Sequence, residues 1–568
     1  MIRSIRHGRL MAAVGLAVAA VVVMGTGQVS AAKAPSNNTI DVRLIGINDL
    51  HGNLEPPTGS SGVVPIPGQP SVPAGGAGFL ATHVQQLKQQ APNSFVVGQG
   101  DLIGASPLAS ALFHDEPTIE VLNKVGMTVS TAGNHEFDEG YRELLRIQTG
   151  GCNPADGCQF HNPYRGSKFP YLGANVTFKG TQFPALAPFW LSYAQGVPIG
   201  YIGMPLKGTP EIVAAAGIKD IEFGDEVAAA NRYASLLDLL GVKTIVLLLH
   251  QGDTPGPGGP NDCNNVAGVG RTIAERVSSK IDVVYAGHSH QQFNCTVNDP
   301  AGNPRPYIQG LSFGRVLSVV DLKVDKRTKD AVRSQTRTNN HIVTRDVTAD
   351  PAVQALVTEA QTKSAPIANQ PIGAVTSNIV RAAVPSGESP LGNLIADAQL
   401  AGTQTAGAQI ALMNPGGVRA DLTFPTSPIG EGDGVVTYGE AFTVQPFGNV
   451  MTTLTLTGAQ IKTVLEQQWQ PTVTRILQPS AGFTYTWTEA ATVGSKVSNI
   501  ALNGVAIDPA ASYRVSVNNF LADGGDGFVE LRNGTNRTGG AVDLDAFTDY
   551  LEANAPVAPP ATNRITKL

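Results

Sequence analysis

From Ile40 onward the chain repeats one arrangement: a β-like apolar run closed by Asp, Asn or His. Residues 40–47 lead into Asn48-Asp49, 94–97 into Gly98-Gln99-Gly100-Asp101, 127–132 into Gly133-Asn134, 243–249 into His250, and 281–286 into Gly287-His288. Two further runs, 197–204 and 317–324, read as strands without such an ending. Between them, apolar residues recur at helical spacing over 79–90, 118–125, 226–240 and 271–279. Strands that are apolar throughout, alternating with helices, predict an α/β domain whose sheets are covered by helices. Residues 56–78 are crowded with Pro, Gly and Ser and predict a surface loop.

The pattern changes over residues 345–370. Residues 350–363 predict a helix with Pro351 at its first position, where a missing N–H costs nothing. Residues 365–371 predict a joint. Beyond it, 391–401 and 458–468 predict helices, and 408–413, 497–507 and 513–518 predict strands. A chain of 568 residues is too long for one core, so two domains and a linker are expected. There is no long internal repeat.

Composition adds an address. Arg3, Arg6 and Arg9 precede an apolar stretch over 10–24, and small residues over 29–34 offer cleavage sites, so residues 1–34 read as a secretory signal. An uncleaved anchor is the alternative, but the apolar stretch is shorter than the roughly 20 residues a span needs. The product is expected outside the cell or in its envelope, with no membrane attachment after cleavage. Four cysteines in an exported chain predict two disulfides; of three possible connectivities, the pairing of neighbours gives 152–158 and 263–295. A net charge of −6 gives no reason to expect nucleic acid or an anionic membrane as a partner. The expected ligand is a small molecule held by local chemistry.

That chemistry lies in the run-ends: Asn48-Asp49-Leu50-His51-Gly52, Gly100-Asp101, Thr131-Ala132-Gly133-Asn134-His135-Glu136-Phe137-Asp138, His250-Gln251-Gly252-Asp253 and Gly287-His288-Ser289-His290. A two-metal phosphoesterase needs oxygen and imidazole ligands around ions about 3.5–4 Å apart, with one carboxylate between them. Strand ends in an α/β sheet supply rigid stems that converge on one edge. Asp49 and His51, like His288 and His290, are spaced two apart, so each pair points to one side of an extended segment. Asp101, flanked by glycine, suits bridging, and Asn134 offers a neutral carbonyl oxygen. Oxygen and nitrogen donors without thiolate suit Zn, Mn, Co, Fe or Mg. Taken singly, Asp49 could cap a turn, His250 could be a satisfied core histidine and Gly133-Asn134 could be a plain turn. Five of the ten histidines fall in these clusters, however, while His83, His114, His161 and His341 have no such setting and are assigned to surface or core.

In this order the five motifs resemble those of the calcineurin-like metallophosphoesterases. Further motifs narrow the resemblance to the bacterial 5'-nucleotidase/UDP-sugar hydrolase family: Leu391-Gly392-Asn393-Leu394-Ile395-Ala396-Asp397-Ala398, Asn414-Pro415-Gly416-Gly417-Val418-Arg419, Gln445-Pro446-Phe447-Gly448-Asn449 and Asn519-Phe520-Leu521-Ala522-Asp523-Gly524-Gly525-Asp526-Gly527. The resemblance implies a four-layer α/β/β/α metallophosphoesterase domain over 40–345, a linker helix and hinge over 346–370, and a smaller α+β substrate-binding domain over 371–568. It implies one divalent ion on Asp49, His51 and His290, another on Asn134, His250 and His288, and Asp101 between them. His135 is then the catalytic histidine and Asp138 the residue that orients it; Glu136 is given no role. Phe447 and Phe520 match a pair of rings that sandwich the base, while Asn414, Gly417, Arg419 and Asp526, with Arg381, match positions that contact the nucleoside or phosphate. Pro415 stands where the family usually has glycine, and the loop 381–389 departs from its pattern.

The implied activity is release of phosphate from nucleoside 5'-phosphates by attack of metal-activated water, the second domain turning about the linker to bring substrate in. A 2',3'-cyclic-nucleotide phosphodiesterase or UDP-sugar hydrolase could use the same metal site. A sulfur-ester hydrolase would not need the paired phenylalanines, and a non-catalytic nucleotide-binding surface protein would not need His135 and Asp138.

Overall fold

A computed structural model describes residues 38–568 apart from 214, 427–429 and 472; the secretory signal expected over 1–34 lies outside the described residues. Strand Thr39–Ile47 shows how the first domain is built. Its even-numbered residues Ile40, Val42 and Leu44 belong to one buried apolar cluster, and Ile45 and Ile47 to another. The period-2 alternation of a strand thus feeds two cores at once, which is why the run is apolar throughout.

Two six-stranded sheets face each other. The first has the order Arg337–Ile342, Val316–Asp325, Thr39–Ile47, Ser94–Gly98, Met127–Thr131, Tyr171–Leu172. The second has Phe293–Asn298, Pro304–Gln309, Val283–Tyr285, Thr244–Leu249, Val197–Met204, Phe189–Ala194. Pairing is parallel at the centre of each sheet; the second sheet turns antiparallel at both edges, the first only on the Val316–Asp325 side, since its edge strand Tyr171–Leu172 pairs in parallel. Leu44, Val97 and Val129 of the first sheet meet Tyr201, Val246, Leu248 and Tyr285 of the second in the layer between them. Helices Ala77–Gln90, Glu116–Val125 and Pro351–Ala368 cover the first sheet's outer face through Leu80, Val84, Ile119, Leu122, Val353 and Val357. Helices Glu226–Leu239 and Val269–Arg276 cover the second through Ala230, Leu237 and Ile273. This is the expected α/β/β/α stack. Burying each large aliphatic side chain contributes about 1.5–3 kcal/mol, and the sum holds the strand ends in place.

The second domain is α+β. A five-stranded sheet, ordered Gln478–Pro479, Ile410–Met413, Ser512–Asn518, Val450–Thr457, Thr535–Val542, carries helices Pro390–Gly402 and Asp543–Asn554. A four-stranded sheet, Val505–Ala506, Val497–Leu502, Phe483–Trp487, Ile565–Lys567, completes it. Two expectations need correction. Residues 497–507 form a hairpin rather than one strand: Leu502 pairs with Val505, and the chain reverses at Asn503-Gly504, both at positive φ (51° and 77°). Asn-Gly favours this two-residue turn because both residues tolerate the left-handed region. The joint expected over 365–371 begins later, because the helix runs through Pro366 to Ala368 and only Asn369 and Gln370 separate it from strand Pro371–Ala374. That helix packs on Ala77–Gln90 and Glu116–Val125 of the first domain and on Tyr438–Val444 of the second.

Both disulfides join neighbours, Cys152–Cys158 and Cys263–Cys295. The latter ties the loop after His250 to the edge strand Phe293–Asn298. Among the described residues no helix is long and apolar enough to cross a membrane.

Candidate active site

The five run-ends meet at the carboxyl ends of the central strands of both sheets. Asp49 and His51 follow Thr39–Ile47, Asp101 follows Ser94–Gly98, and Asn134 and His135 follow Met127–Thr131. From the second sheet, His250 follows Thr244–Leu249, and His288 and His290 follow Val283–Tyr285. Asp49, His51, Asp101, Asn134 and His250 are almost wholly buried. The backbone is bent to bring them in: Asp49, His51, Asp101, His288 and His290 all have positive φ, between 47° and 69°. Such conformations cost of order 1–3 kcal/mol each for non-glycine residues and persist only where the surroundings over-determine them. Here the surroundings are main-chain bonds: Asp49 N–H donates to Gly100 O (3.1 Å), His51 N–H to Asp101 O (2.9 Å), and Phe313 N–H to Asp49 O (2.7 Å). Close approach also fixes a glycine, since a Cβ on Gly133 would overlap the Asp101 carboxylate.

Donor atoms converge in linked groups. Asp49, His51 and His290 form one, Asp101, His250 and His288 a second, and His51, Asp101 and His135 a third, with ligand atoms in each within 4.8 Å of one another. Asp101 Oδ2 is 3.0 Å from His250 Nε2 and 3.7 Å from His51 Nε2, so one carboxylate reaches both sides. Asn134 Oδ1 lies 3.1 Å from His250 Nε2.

These residues fit a pair of divalent cations, and the tautomers say why. His51 Nδ1–H donates to Gly104 O (2.8 Å) and His250 Nδ1–H to Gln99 O (2.7 Å), which turns each Nε2 inward, that of His51 with a free lone pair. His51 Nε2 and His290 Nε2 then face each other at 2.9 Å, an arrangement a cation relieves. Burial drives His51 and His290 well below the ordinary imidazole pKa and His288 to about 3, so all three are neutral ligands. Burial pushes Asp49 up to about 7. His250 is held at about 9: burial opposes its charge, but Asp101 and Asp49 outweigh it. The two carboxylates demand positive charge in their midst, a demand divalent ions meet. Asn48 steadies Asp49 by donating Nδ2–H to its Oδ2 at 2.7 Å.

His135 stands beside the cluster, its Nδ1 2.7 Å from Asp138 Oδ2 and its N–H donating to Asp101 Oδ1 at 2.8 Å. Burial works against its charge, yet Asp138 and Asp101 raise its pKa above the ordinary value. Glu136, which the motifs leave without a role, accepts backbone N–H bonds from Asp101 (2.9 Å), Leu102 (2.8 Å) and Gly133. One buried carboxylate therefore clamps the Asp101 turn to the Asn134 turn. Its place between His135 and Asp138 is the available signal; its partners Asp101 and Leu102, more than thirty residues away, are brought near only by folding.

The second domain reaches the same place. The Phe447 ring stacks on His135 with centroids 5.7 Å apart and planes 21° off parallel, and the Arg419 guanidinium lies 5.8 Å from the Phe447 centroid. Arg419 Nη2 is buried with no hydrogen-bond partner, and its charge bears on His51, His135 and His290. Asn414 Nδ2–H donates to Asp526 Oδ2 (2.9 Å). Phe520 packs on Gly525 at the edge of the domain core, and Gly417 is buried beside Asn414. Arg381 instead turns to the first domain's loop, donating Nη2–H to Ser61 Oγ at 3.2 Å.

The calcineurin-like phosphoesterase family model matches residues 42–292, and the 5'-nucleotidase C-terminal domain model matches 366–532. Cell wall protein Lmo0130 of Listeria monocytogenes is 33% identical over 545 residues, spanning 91% of this chain and 67% of that protein. The chain belongs to the calcineurin-like phosphoesterases that carry a 5'-nucleotidase C-terminal domain. Membership places it among metal-dependent phosphoester hydrolases. It is also 33% identical over 534 residues to endonuclease YhcR of Bacillus subtilis, of whose length it spans 41%. A 5'-nucleotidase precursor from Thermus thermophilus has the same architecture, with a TM-score of 0.76 and 26% identity over 93% of this chain and 99% of that one. The four-layer domain and the α+β domain are thus those of this family.

Proposed function

We propose that the protein is an exported 5'-nucleotidase, which cleaves nucleoside 5'-phosphates to nucleoside and inorganic phosphate. One observation carries the reading: the stack of Phe447 on His135, 5.7 Å between centroids, brings a ring suited to a base against the histidine beside the donor cluster. A molecule with an aromatic base at one end and a phosphate at the other spans that junction.

Asp49, His51, Asp101, Asn134, His250, His288 and His290 would hold two divalent ions, which when bound supply Lewis acidity and lower the pKa of water. The remaining steps belong to side chains. His135, whose charged form Asp138 and Asp101 favour, faces charge that develops on the phosphoryl oxygens or gives its proton to the leaving oxygen. Arg419, with its unpartnered Nη2, forks onto phosphate oxygens. Phe447 and Phe520 take the base, and Asn414, Gly417 and Asp526 line its approach, while Arg381 holds the first domain's loop at Ser61. Because Phe447 closes on His135, substrate entry needs the second domain to swing about the linker. Export is supported by the residue pattern over 1–34 and by two disulfides.

The test is phosphate release from AMP by the purified protein with each of Zn, Mn, Co, Fe and Mg, with and without EDTA, beside an Asp101→Asn control. Metal-dependent release above that control is expected. No release from any nucleoside 5'-monophosphate overturns the reading. The name of the Bacillus relative favours one alternative, a phosphodiesterase using the same centre; hydrolysis of bis(p-nitrophenyl) phosphate or 2',3'-cyclic AMP in preference to AMP would mark it.

A further inference from the structure

Arg475 belongs to none of the motifs above. It lies between helix Gly458–Glu466 and strand Gln478–Pro479. Its Nε is 3.1 Å from Asp526 Oδ1, and its Nη1–H donates to Gln470 Oε1 at 3.0 Å. Gln470 closes the ring by donating Nε2–H to the main-chain oxygen of Asp526. The other oxygen of Asp526 is taken by Asn414 at 2.9 Å, and Asn414 is itself held by Asn518 at 3.0 Å. Each carboxylate oxygen therefore has one side-chain partner and a lone pair to spare, and the guanidinium is fixed, while Nη2 makes no hydrogen bond among the described residues. The Arg475 side chain is 23% exposed, so this free edge reaches solvent beside a carboxylate that is only 9% exposed.

We propose that Arg475 receives a second phosphate of the substrate, carried on the sugar rather than in the 5' chain. This rests on the nucleotidase reading. With the scissile phosphate at the donor cluster and Arg419, the Asp526–Asn414 pair is the polar element left for the sugar hydroxyls. A guanidinium in contact with Asp526 then meets whatever hangs from that same sugar. Its planar fork suits phosphate oxygens. The favoured substrates are thus nucleotides with a phosphate on both the 5' and the 3' or 2' oxygen, which includes the 5' ends of short oligonucleotides.

The experiment compares kcat/KM for AMP, ADP and adenosine 3',5'-bisphosphate in the wild type, Arg475→Gln and Arg475→Lys, with a melting curve for each. Arg475→Gln is expected to lower the bisphosphate-to-AMP ratio about tenfold, the worth of a hydrogen bond to a charged group, and to leave the ADP-to-AMP ratio unmoved. Arg475→Lys keeps the charge without the fork and falls between. An equal loss on all three substrates overturns the proposal, because Arg475 then only steadies Asp526. A shift confined to ADP overturns it too, since the second phosphate then lies in the chain. Should Arg475→Gln fail to fold, an unchanged ratio in Arg475→Lys overturns the proposal. If the wild type cleaves none of the three, the nucleotidase reading fails separately. Calorimetric binding of the bisphosphate to metal-loaded wild type and Arg475→Lys then decides, and an equal Kd sinks the assignment of Arg475.

Discussion

The donor cluster and the face of the second domain that carries Phe447 and Arg419 lie against each other but are built on opposite terms. In the cluster the side chains rise from strand ends, the backbone is bent into five left-handed positions, and the nitrogens of His51 and His250 that face away are tied to main-chain carbonyls. On the face of the second domain, Phe447 lies half-buried on a loop and Phe520 half-buried on the short helix Asn519–Ala522, and Arg419 keeps a buried Nη2 without a partner. One side is complete before substrate arrives, while the other keeps donors in reserve for it. Rigid positioning suits the reaction proposed above, and side chains with contacts to spare suit recognition.

The contrast can be broken or sharpened by substitution. The largest effect is expected on the rigid side: His135→Ala should lower kcat about 100- to 10,000-fold, the usual worth of a positioned acid or base, with metal content intact. An unchanged kcat in stopped assays of phosphate release removes His135 from the chemistry. Glu136→Gln comes next. It keeps the volume but swaps an acceptor for a donor where three N–H groups converge, so affinity for the metal should fall about 10- to 100-fold, as when outer partners of ligands are removed. Titration with a fluorescent chelator measures this, and wild-type affinity would mean that the clamp is idle. On the recognition side Phe447→Ala should raise KM for AMP roughly tenfold, within the 1–3 kcal/mol that stacking on a base contributes, and change kcat less; a kcat loss matching that of His135→Ala would erase the division of labour.

The smallest effect concerns stability. His114 sits between Glu139 (2.8 Å) and Asp156 (2.9 Å), and its pKa is pushed up to about 9 from the ordinary 6.5, first by the Glu139 hydrogen bond. A raised folded-state pKa stabilises fully below 6.5 and is lost as pH climbs through 9. The melting temperatures of wild type and His114→Gln should therefore differ most at pH 6 and converge above pH 9. A gap that stays constant across this range would show that the pair acts by packing alone.

The rigid side was the more legible one in the sequence for the same physical reason. Asp49, Asp101, Asn134, His250 and His288 each end an apolar run, so period and burial announce their place, and the structure brings them together. Glu136 and Arg475 carry no such mark, because what they do depends on partners brought near by folding: the Asp101 turn for one, Asp526 for the other. The hairpin at Asn503-Gly504 is announced by its dipeptide, yet the apolar pattern continues across the turn and reads as unbroken strand. Strand Val450–Thr457 and helix Asp543–Asn554 are poorly marked in the sequence. The strand alternates threonine with aliphatics, and the helix is acidic in its first turn, where the macrodipole favours that charge but apolar spacing gives little signal.

The five left-handed positions carry one more consequence, for anyone who would move this centre to another scaffold. A list of seven donors is not enough to rebuild it. The recipient must offer a main chain already bent at the points where Asp49, His51, Asp101, His288 and His290 stand, because ordinary strand ends would aim the same side chains elsewhere. What is portable is a set of turns, and the letters come after.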